Sequence, residues 1–117
     1  MTPLQQAAAT DPTLGRAWID PAQPDVLHLA GEADVATVED FCDSLGVAQI
    51  ALGRALAAAG VREIDLTEAT FIDSAVVALV VGIVPPVRPE RLRVRGATGS
   101  PRATLQLTGV DGLLDFV

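Results

Sequence analysis

The sequence contains a single cysteine and a single histidine, and this scarcity excludes two kinds of site. One cysteine, Cys42, cannot form an internal disulfide, and together with His28 it does not supply the ligands of a zinc centre. Cys42 follows Phe41 in a stretch with helical spacing, so we expect it to be a small, partly buried apolar residue. His28 alternates with two leucines and is expected to be structural or exposed. We therefore predict no metal site.

Lysine is absent, only four residues are aromatic, and the formal net charge is −7. Without lysine the chain has no Gly-x-x-x-x-Gly-Lys loop for the phosphates of a nucleotide. An acidic surface repels nucleic acid, and four aromatic rings offer little for bases to stack on. We expect no direct binding to DNA or RNA, and an acidic domain of this kind favours protein partners with basic faces.

Long apolar runs are also missing. The longest, residues 75–84, is well short of the ~20 residues that a membrane-spanning helix requires. Residues 1–12 contain neither a basic region nor a continuous apolar run, so no secretory signal is expected. These observations predict no membrane span and a cytoplasmic location.

What is present predicts one α/β domain at residues 13–117, preceded by a flexible tail at residues 1–12. Strands 14–19 and 25–30 are predicted to form a hairpin, and residues 31–34 a loop. One amphipathic helix is expected over 36–59, with Asp34 or Thr37 as its N-cap and Gly60 after its end. Further strands are predicted at 61–66 and 91–95, a short helix from Ser100-Pro101 to Gly109, and an edge strand within 113–117.

The arginines of the strand at 91–95 alternate with apolar residues. Arg91, Arg93 and Arg95 are therefore expected on one face of that strand, and Leu92 and Val94 on the other. The arginine face is interpreted as solvated, and the alternative is a docking patch.

The segment around Ser74 is the most informative part of the chain. An apolar run at 61–66 leads through a predicted loop to Asp73-Ser74, which opens the apolar run 75–84. Valine content favours a buried strand for that run, whereas its length and the Asp-Ser pair favour a buried helix ended by Pro85-Pro86. If it is a helix, Ser74 stands at its N-terminus, where spare N–H groups and the helix dipole attract phosphate.

Four motifs occur in an order and spacing that resemble the bacterial STAS domains of anti-sigma factor antagonists. They are Gly31-Glu32-Ala33-Asp34, Asp65-Leu66 through Phe71-Ile72-Asp73-Ser74, Ser100-Pro101, and Leu107-Thr108-Gly109-Val110. The resemblance implies a helix for residues 75–84. It also implies the STAS-like α/β fold, with a four- to five-stranded mixed sheet and helices packed mainly on one face.

The same resemblance implies a function without catalysis. Ser74 corresponds to the family's phosphorylated serine, and Asp34, Asp73, Ala75 and Val76 are predicted to contact the partner. That partner is implied to be an anti-sigma factor of the kinase-like ATPase type, which phosphorylates Ser74, and a phosphatase reverses the reaction. Unphosphorylated, the chain frees a sigma factor for transcription, and it needs no cofactor of its own.

The sequence departs from the family signature directly after Ser74, where Ala75, Val76 and Val77 replace a serine, a glycine and a leucine. Val76 in place of glycine is expected to put a branched side chain at the helix start. This departure favours the alternative function, a STAS scaffold subunit of a transporter-associated or stress-signalling complex without phosphorylation. An enzyme that uses Asp34 and Asp73 as an acid–base pair is the weakest reading, because the chain offers no oxyanion donors or cofactor motif.

Overall fold

A five-stranded mixed sheet organises the chain, which a computed structural model describes from residue 13 to residue 117. The strands lie in sequential order, with β1 antiparallel to β2 and all other neighbours parallel. This confirms the predicted mixed sheet and the hairpin at its start. The strands are β1 (Arg16–Ile19), β2 (Val26–Ala33), β3 (Glu63–Ile72), β4 (Leu92–Arg95) and β5 (Leu114–Phe116).

Within residues 13–117, four α-helices cover one face of this sheet. They are α1 (Val35–Leu45), α2 (Leu52–Ala58), α3 (Ser74–Val87) and α4 (Gly99–Leu107), with 3₁₀ turns at Gln49–Ala51 and Val110–Leu113. Alternate strand residues such as Leu27, Ile64 and Leu92 point toward the helices and are fully buried. They join helix residues such as Val80 and Leu105 in one core. The apolar run 75–84 is thus a helix, and its buried face, which includes Val76, Val80 and Val84, packs in this core.

The opposite face of the sheet carries polar and aromatic side chains. Trp18, His28 and Asp65 are register partners across β1, β2 and β3. The indole and imidazole rings stack at 5.2 Å between centroids, and His28 Nδ1 lies 3.6 Å from a carboxylate oxygen of Asp65. His28 therefore has a structural place in the sheet.

The arginines of β4 and of the residue before it keep a third to a half of their side-chain surface in solvent, as interpreted, and they are also paired with carboxylates. Glu63 on β3 is buried, and it accepts hydrogen bonds from Nε of Arg93 at 3.2 Å and Nε of Arg95 at 3.0 Å. Arg91 Nε donates to Asp115 at 2.9 Å. Carboxylates on the neighbouring strands β3 and β5 thus neutralise this arginine cluster.

The single helix predicted over 36–59 is wrong, because two helices occupy this stretch. Gly46 adopts a left-handed conformation with φ of 69°, and its N–H and that of Val47 bond back to carbonyls of the last turn of α1. This is a glycine C-cap, which ends a helix even where the apolar spacing continues beyond it. Gly60, with φ of 101°, follows the C-cap residue of α2 as predicted.

Both loops predicted beside the parallel strands are strand residues. β2 continues to Ala33 and β3 to Ile72, and the two remain paired after a register shift between Gly31 and Glu32. The polar sequence of these stretches is typical of loops, but the backbone hydrogen bonds to the neighbouring strand hold them in the sheet.

Two helix boundaries also differ from the predictions. α3 runs through Pro85 and Pro86 to Val87, because the fixed φ of proline is the helical value and both prolines fall in the last turn. α4 begins after Thr98, not at Ser100, so proline occupies its third position. In the part of the chain from residue 13 onward, no helix combines the length and the apolarity that crossing a membrane requires. The tail predicted at residues 1–12 lies outside the described residues.

Candidate functional site

Two helices start side by side at one edge of the sheet. β2 and β3 are parallel neighbours with Ala33 paired to Ile72, and a single aspartate follows each of these residues before the helix begins. Asp34 is the N-cap of α1 and Asp73 is the N-cap of α3. The structure therefore brings Asp34, Asp73 and Ser74 to the same edge, as the sequence predicts.

Asp34 closes the start of α1 through a capping box. Its Oδ1 accepts hydrogen bonds from the N–H of Thr37 at 3.1 Å and from the Thr37 hydroxyl at 3.1 Å. In return the N–H of Asp34 donates to Thr37 Oγ1 at 3.3 Å. This reciprocal arrangement satisfies donors that a helix start otherwise leaves without partners.

The carboxylate of Asp73 holds both helix starts together. Its Oδ1 accepts from the N–H of Ala75 at 2.9 Å and from that of Val76 at 3.4 Å, which caps α3. Its Oδ2 accepts from the N–H of Val35, the first residue of α1, at 2.9 Å. No local sequence signal indicates this second contact, since the two residues are 38 positions apart.

Ser74 is exposed at the first position of α3. The backbone N–H groups next along the helix are already used, because Ala75 and Val76 donate to the Asp73 side chain and Val77 donates to the Asp73 carbonyl at 3.1 Å. This corrects the expectation of spare donors awaiting a phosphate. A phosphate on Ser74 would lie beside a carboxylate at this helix start.

The residues after Ser74 differ in what they offer to a partner. Ala75 is half-buried, whereas Val76 is fully buried in the core beneath α3. The expectation that Val76 presents a branched side chain at the surface is therefore wrong, and it contributes only its backbone to this edge. The helical turn directs its side chain toward the sheet.

The surface around Ser74 is acidic. Residues 31–36 and 71–78, which end the two strands and start the two helices, include the carboxylates of Glu32, Asp34 and Asp73 and no basic residue. His28 lies on the helix-free face against Trp18, away from this edge. Between residues 13 and 117, no three His, Cys, Asp or Glu side chains are grouped to hold a metal ion. The site can present a hydroxyl to another protein, and it places no imidazole base beside that hydroxyl.

Comparison with known proteins identifies the family. The sequence model of the family described as "Mlab, STAS domain" matches residues 20–115, which is most of the chain. This chain belongs to the STAS domain family. No curated protein matches the sequence.

Solved structures share the fold of this STAS domain at low sequence identity. A crystal structure of a candidate anti-sigma factor antagonist (TM1081) from Thermotoga maritima has a TM-score of 0.56 and 16% identity, over 87% of this chain and 84% of that one. The anti-sigma factor antagonist SpoIIAA in its unphosphorylated form gives 0.56 and 14%, over 86% and 87%. The Bacillus cell fate determinant SpoIIAA in its phosphorylated form gives 0.52 and 18%, over 86% and 90%. These neighbours support the STAS-like α/β fold.

Proposed function

We propose that this STAS domain is an anti-sigma factor antagonist that binds a kinase-like anti-sigma factor and is released by phosphorylation of Ser74. The observation that carries the proposal is the exposed hydroxyl of Ser74 at the first position of α3, at the edge where α1 also begins. An exposed serine on a capped, rigid helix start is accessible to the active site of another protein.

The switch follows from charge and desolvation. A phosphate adds about 1.5 to 2 negative charges to an edge that already carries Asp34 and Asp73. Because the carboxylate of Asp73 occupies the nearest N–H groups, the phosphate relies on water for much of its stabilisation. A partner that covers Ser74 must remove that water. If this costs ~4 kcal/mol, the affinity falls about a thousandfold.

The proposed cycle needs two partners and no cofactor bound to this chain. In the cytoplasm, the anti-sigma factor uses magnesium-bound ATP to transfer the γ-phosphoryl group to the Ser74 hydroxyl, so that ADP leaves and the serine proton is released. A phosphatase hydrolyses the phosphate ester and restores the hydroxyl. Unphosphorylated, the domain sequesters the anti-sigma factor and so frees a sigma factor for transcription.

Intact mass and affinity measurements test this cycle. Each candidate kinase-fold protein from the same organism is incubated with the domain and ATP, and we expect one phosphate on the wild type and none on Ser74→Ala. We further expect Ser74→Ala to bind the same protein as tightly as wild type and Ser74→Asp to bind far more weakly. Ser100→Ala and Ser100→Asp are matched controls, because Ser100 is an exposed serine in the first turn of α4. If no candidate phosphorylates the domain and the Ser74 variants bind alike, the switch is refuted.

The alternative function keeps the fold and omits the switch. Ala75, Val76 and Val77 follow Ser74 in place of the family's serine, glycine and leucine, and this departure supports a STAS scaffold subunit of a transporter-associated or stress-signalling complex. In that case Ser74→Asp retains all partners. Pull-downs with wild type and with Ser74→Asp would then return the same transporter or scaffold subunits.

A further inference from the structure

An open groove of about 440 Å³ lies between α3 and the segment formed by α1, the Gln49–Ala51 turn and α2. It reaches Ala75, the residue next to Ser74, and continues along α3 past Ala78 to Gly82. Its lining is apolar except for the amide of Gln49. The groove therefore adjoins the proposed phosphorylation site without containing any of its carboxylates.

Apolar side chains at the groove are exposed to water. Ile50 lines the groove and is 98% exposed, the highest value among the large apolar residues of the described chain. Val35 and Val81 do not line the groove, but they lie on α1 and α3, the helices that border it, and are also more than a third exposed. Single exposed apolar residues are ordinary, but several beside one apolar groove are typical of a protein-binding surface.

The charges beside the groove select among possible occupants. No charged side chain lines the groove, but α1 carries the exposed carboxylates Glu39 and Asp43 beyond Val38, whereas Asp40 lies on the other side of α1 with Arg16 and Trp18. α3 carries no charged side chain and α2 carries only Arg54. A second copy of this chain would bring a further net charge of −7 against the carboxylates of α1, which disfavours self-association. A segment with basic residues beside an apolar stripe is complementary to both the groove and these carboxylates.

The length of the groove indicates the form of that segment. Ala75 to Gly82 spans seven residues of α3, or about 10 Å at 1.5 Å per residue. Two turns of an amphipathic helix, with apolar residues at i, i+3 or i+4 and i+7, cover the same distance.

We propose that this groove binds a basic amphipathic helix of the anti-sigma partner, with apolar side chains against Ile50 and Ala78 and basic side chains along α1. The proposal rests on the proposed function for the identity of the partner. Ser74 stands at one end of the groove. The part of α3 that the partner helix would cover and the proposed phosphorylation site therefore belong to one continuous surface.

The groove can be tested without the natural partner. The probe is an 18-residue helical peptide of leucine and lysine whose leucines form one stripe, and its control is the same peptide with glutamate in place of lysine. We expect the lysine peptide to shift the methyl NMR signals of Ile50, Ala75 and Ala78, and the glutamate peptide to shift none. Ile50→Ser should lower the affinity for the lysine peptide at least tenfold. Leu107→Ser is the matched control and should not lower it, because Leu107 is 88% exposed but lies on α4 away from the groove.

Each other outcome overturns the inference. Absence of binding, equal binding of both peptides, shifts centred elsewhere, or equal effects of Ile50→Ser and Leu107→Ser all contradict a groove specific for a basic helix. The Ser74 phosphorylation assay does not involve the peptides, so a failed groove leaves the switch standing. Conversely, a failed switch with intact peptide binding would leave the groove as a docking surface of a scaffold subunit.

Discussion

The carboxylate of Asp73 connects two helices that begin 39 residues apart in sequence, at Val35 and Ser74. One carboxylate oxygen caps α3, and the other accepts a hydrogen bond from the first N–H of α1. Any partner that docks at Ser74 therefore meets a surface whose geometry a single side chain fixes. The family resemblance marks Asp73 as an acidic neighbour of the serine, and the structure adds this positioning role.

Asp73→Ala should lower the free energy of unfolding by about 1 to 2 kcal/mol, because α3 loses its N-cap and α1 loses a hydrogen bond. Asp73→Asn should cost about half as much, since an amide oxygen can still cap α3 while the amide nitrogen cannot accept from Val35. Urea unfolding at pH 7 measures both changes. Glu68→Gln removes an exposed carboxylate of β3 beside Trp18 and His28 and should change stability by less than about 0.5 kcal/mol. Equal stability of Asp73→Asn and wild type would show that the contact with α1 contributes nothing.

Glu63 is a second carboxylate with a defined structural role, and its arginine partners determine its pKa. The hydrogen bond from Arg95, helped by that from Arg93 and by both positive charges, holds the pKa of Glu63 below its usual value although burial acts in the opposite direction. A carboxylate whose pKa is lower in the folded state stabilises the fold fully above its unfolded pKa, about 4.3. That contribution is lost as the pH falls through the folded value.

Glu63→Gln should therefore destabilise the domain at pH 7 by about 1 to 2 kcal/mol, the order expected for hydrogen bonds to charged groups when the arginines remain partly exposed. The difference from wild type should shrink as the pH falls below about 4.3. Urea unfolding between pH 7 and pH 3 measures it. Glu90→Gln breaks only an exposed pair with Arg62 and should have a smaller effect at pH 7. A loss for Glu63→Gln that is independent of pH would contradict the linkage.

Among the helices, the crossing of α2 and α3 depends on two glycines in direct contact. A Cβ on Gly53 would lie 2.5 Å from the carbonyl carbon of Gly82, closer than any real contact allows. A Cβ on Gly82 would lie 3.3 Å from the Cα of Gly53, which is tight but tolerable with a small shift. The backbones of α2 and α3 thus touch at the floor of the groove.

Gly53→Ala should destabilise the domain by about 1 to 3 kcal/mol, because the two helices must move apart and this outweighs the helix propensity of alanine. Gly82→Ala should cost less. Gly112→Ala is the matched control, since a Cβ there meets nothing within 4 Å. Thermal unfolding midpoints rank the three variants, and a stabilised Gly53→Ala would mean that the helices do not pack this closely.

Local signals explain which elements were predictable. The strand alternation and a cap at Asp34 or Thr37 depend on residues within one turn or one strand, and these residues alone predict them. For residues 75–84 the local pattern leaves strand and helix open, and the family resemblance decides for the helix that the structure has. The order and spacing of the motifs that resemble the STAS family also place Ser74 at a helix start, where the structure has it.

The remaining features depend on partners that are distant in sequence. β2 and β3 extend to Ala33 and Ile72 because each pairs with the other, and no local residue pattern specifies where such pairing stops. Gly53 suggested only a weakened helix, since its contact with Gly82 joins two separate elements. Burial of Val76 likewise follows from how α3 packs on the sheet.

At the scale of the molecule, the candidate site lies on the surface and shares no side chain with the hydrophobic core. Ser74 is exposed, whereas the core under α3 begins at Val76 and Val77. SpoIIAA shares this fold over 86% of the present chain in both its unphosphorylated and its phosphorylated structures. The switch proposed for Ser74 needs no change of fold, because the added charge of a phosphate can itself prevent docking.

Phosphoserine incorporated at position 74 during expression should therefore leave the free energy of unfolding within about 1 kcal/mol of the unmodified domain. The N-terminal end of the helix dipole favours the phosphate, and the adjacent Asp73 carboxylate opposes it by a similar amount. Urea unfolding and amide hydrogen exchange along α3 measure the effect, with phosphoserine at position 100 as the matched control at another helix start. A loss above about 2 kcal/mol confined to position 74, with faster exchange throughout α3, would mean that phosphorylation acts by loosening the helix and not by charge at the docking surface.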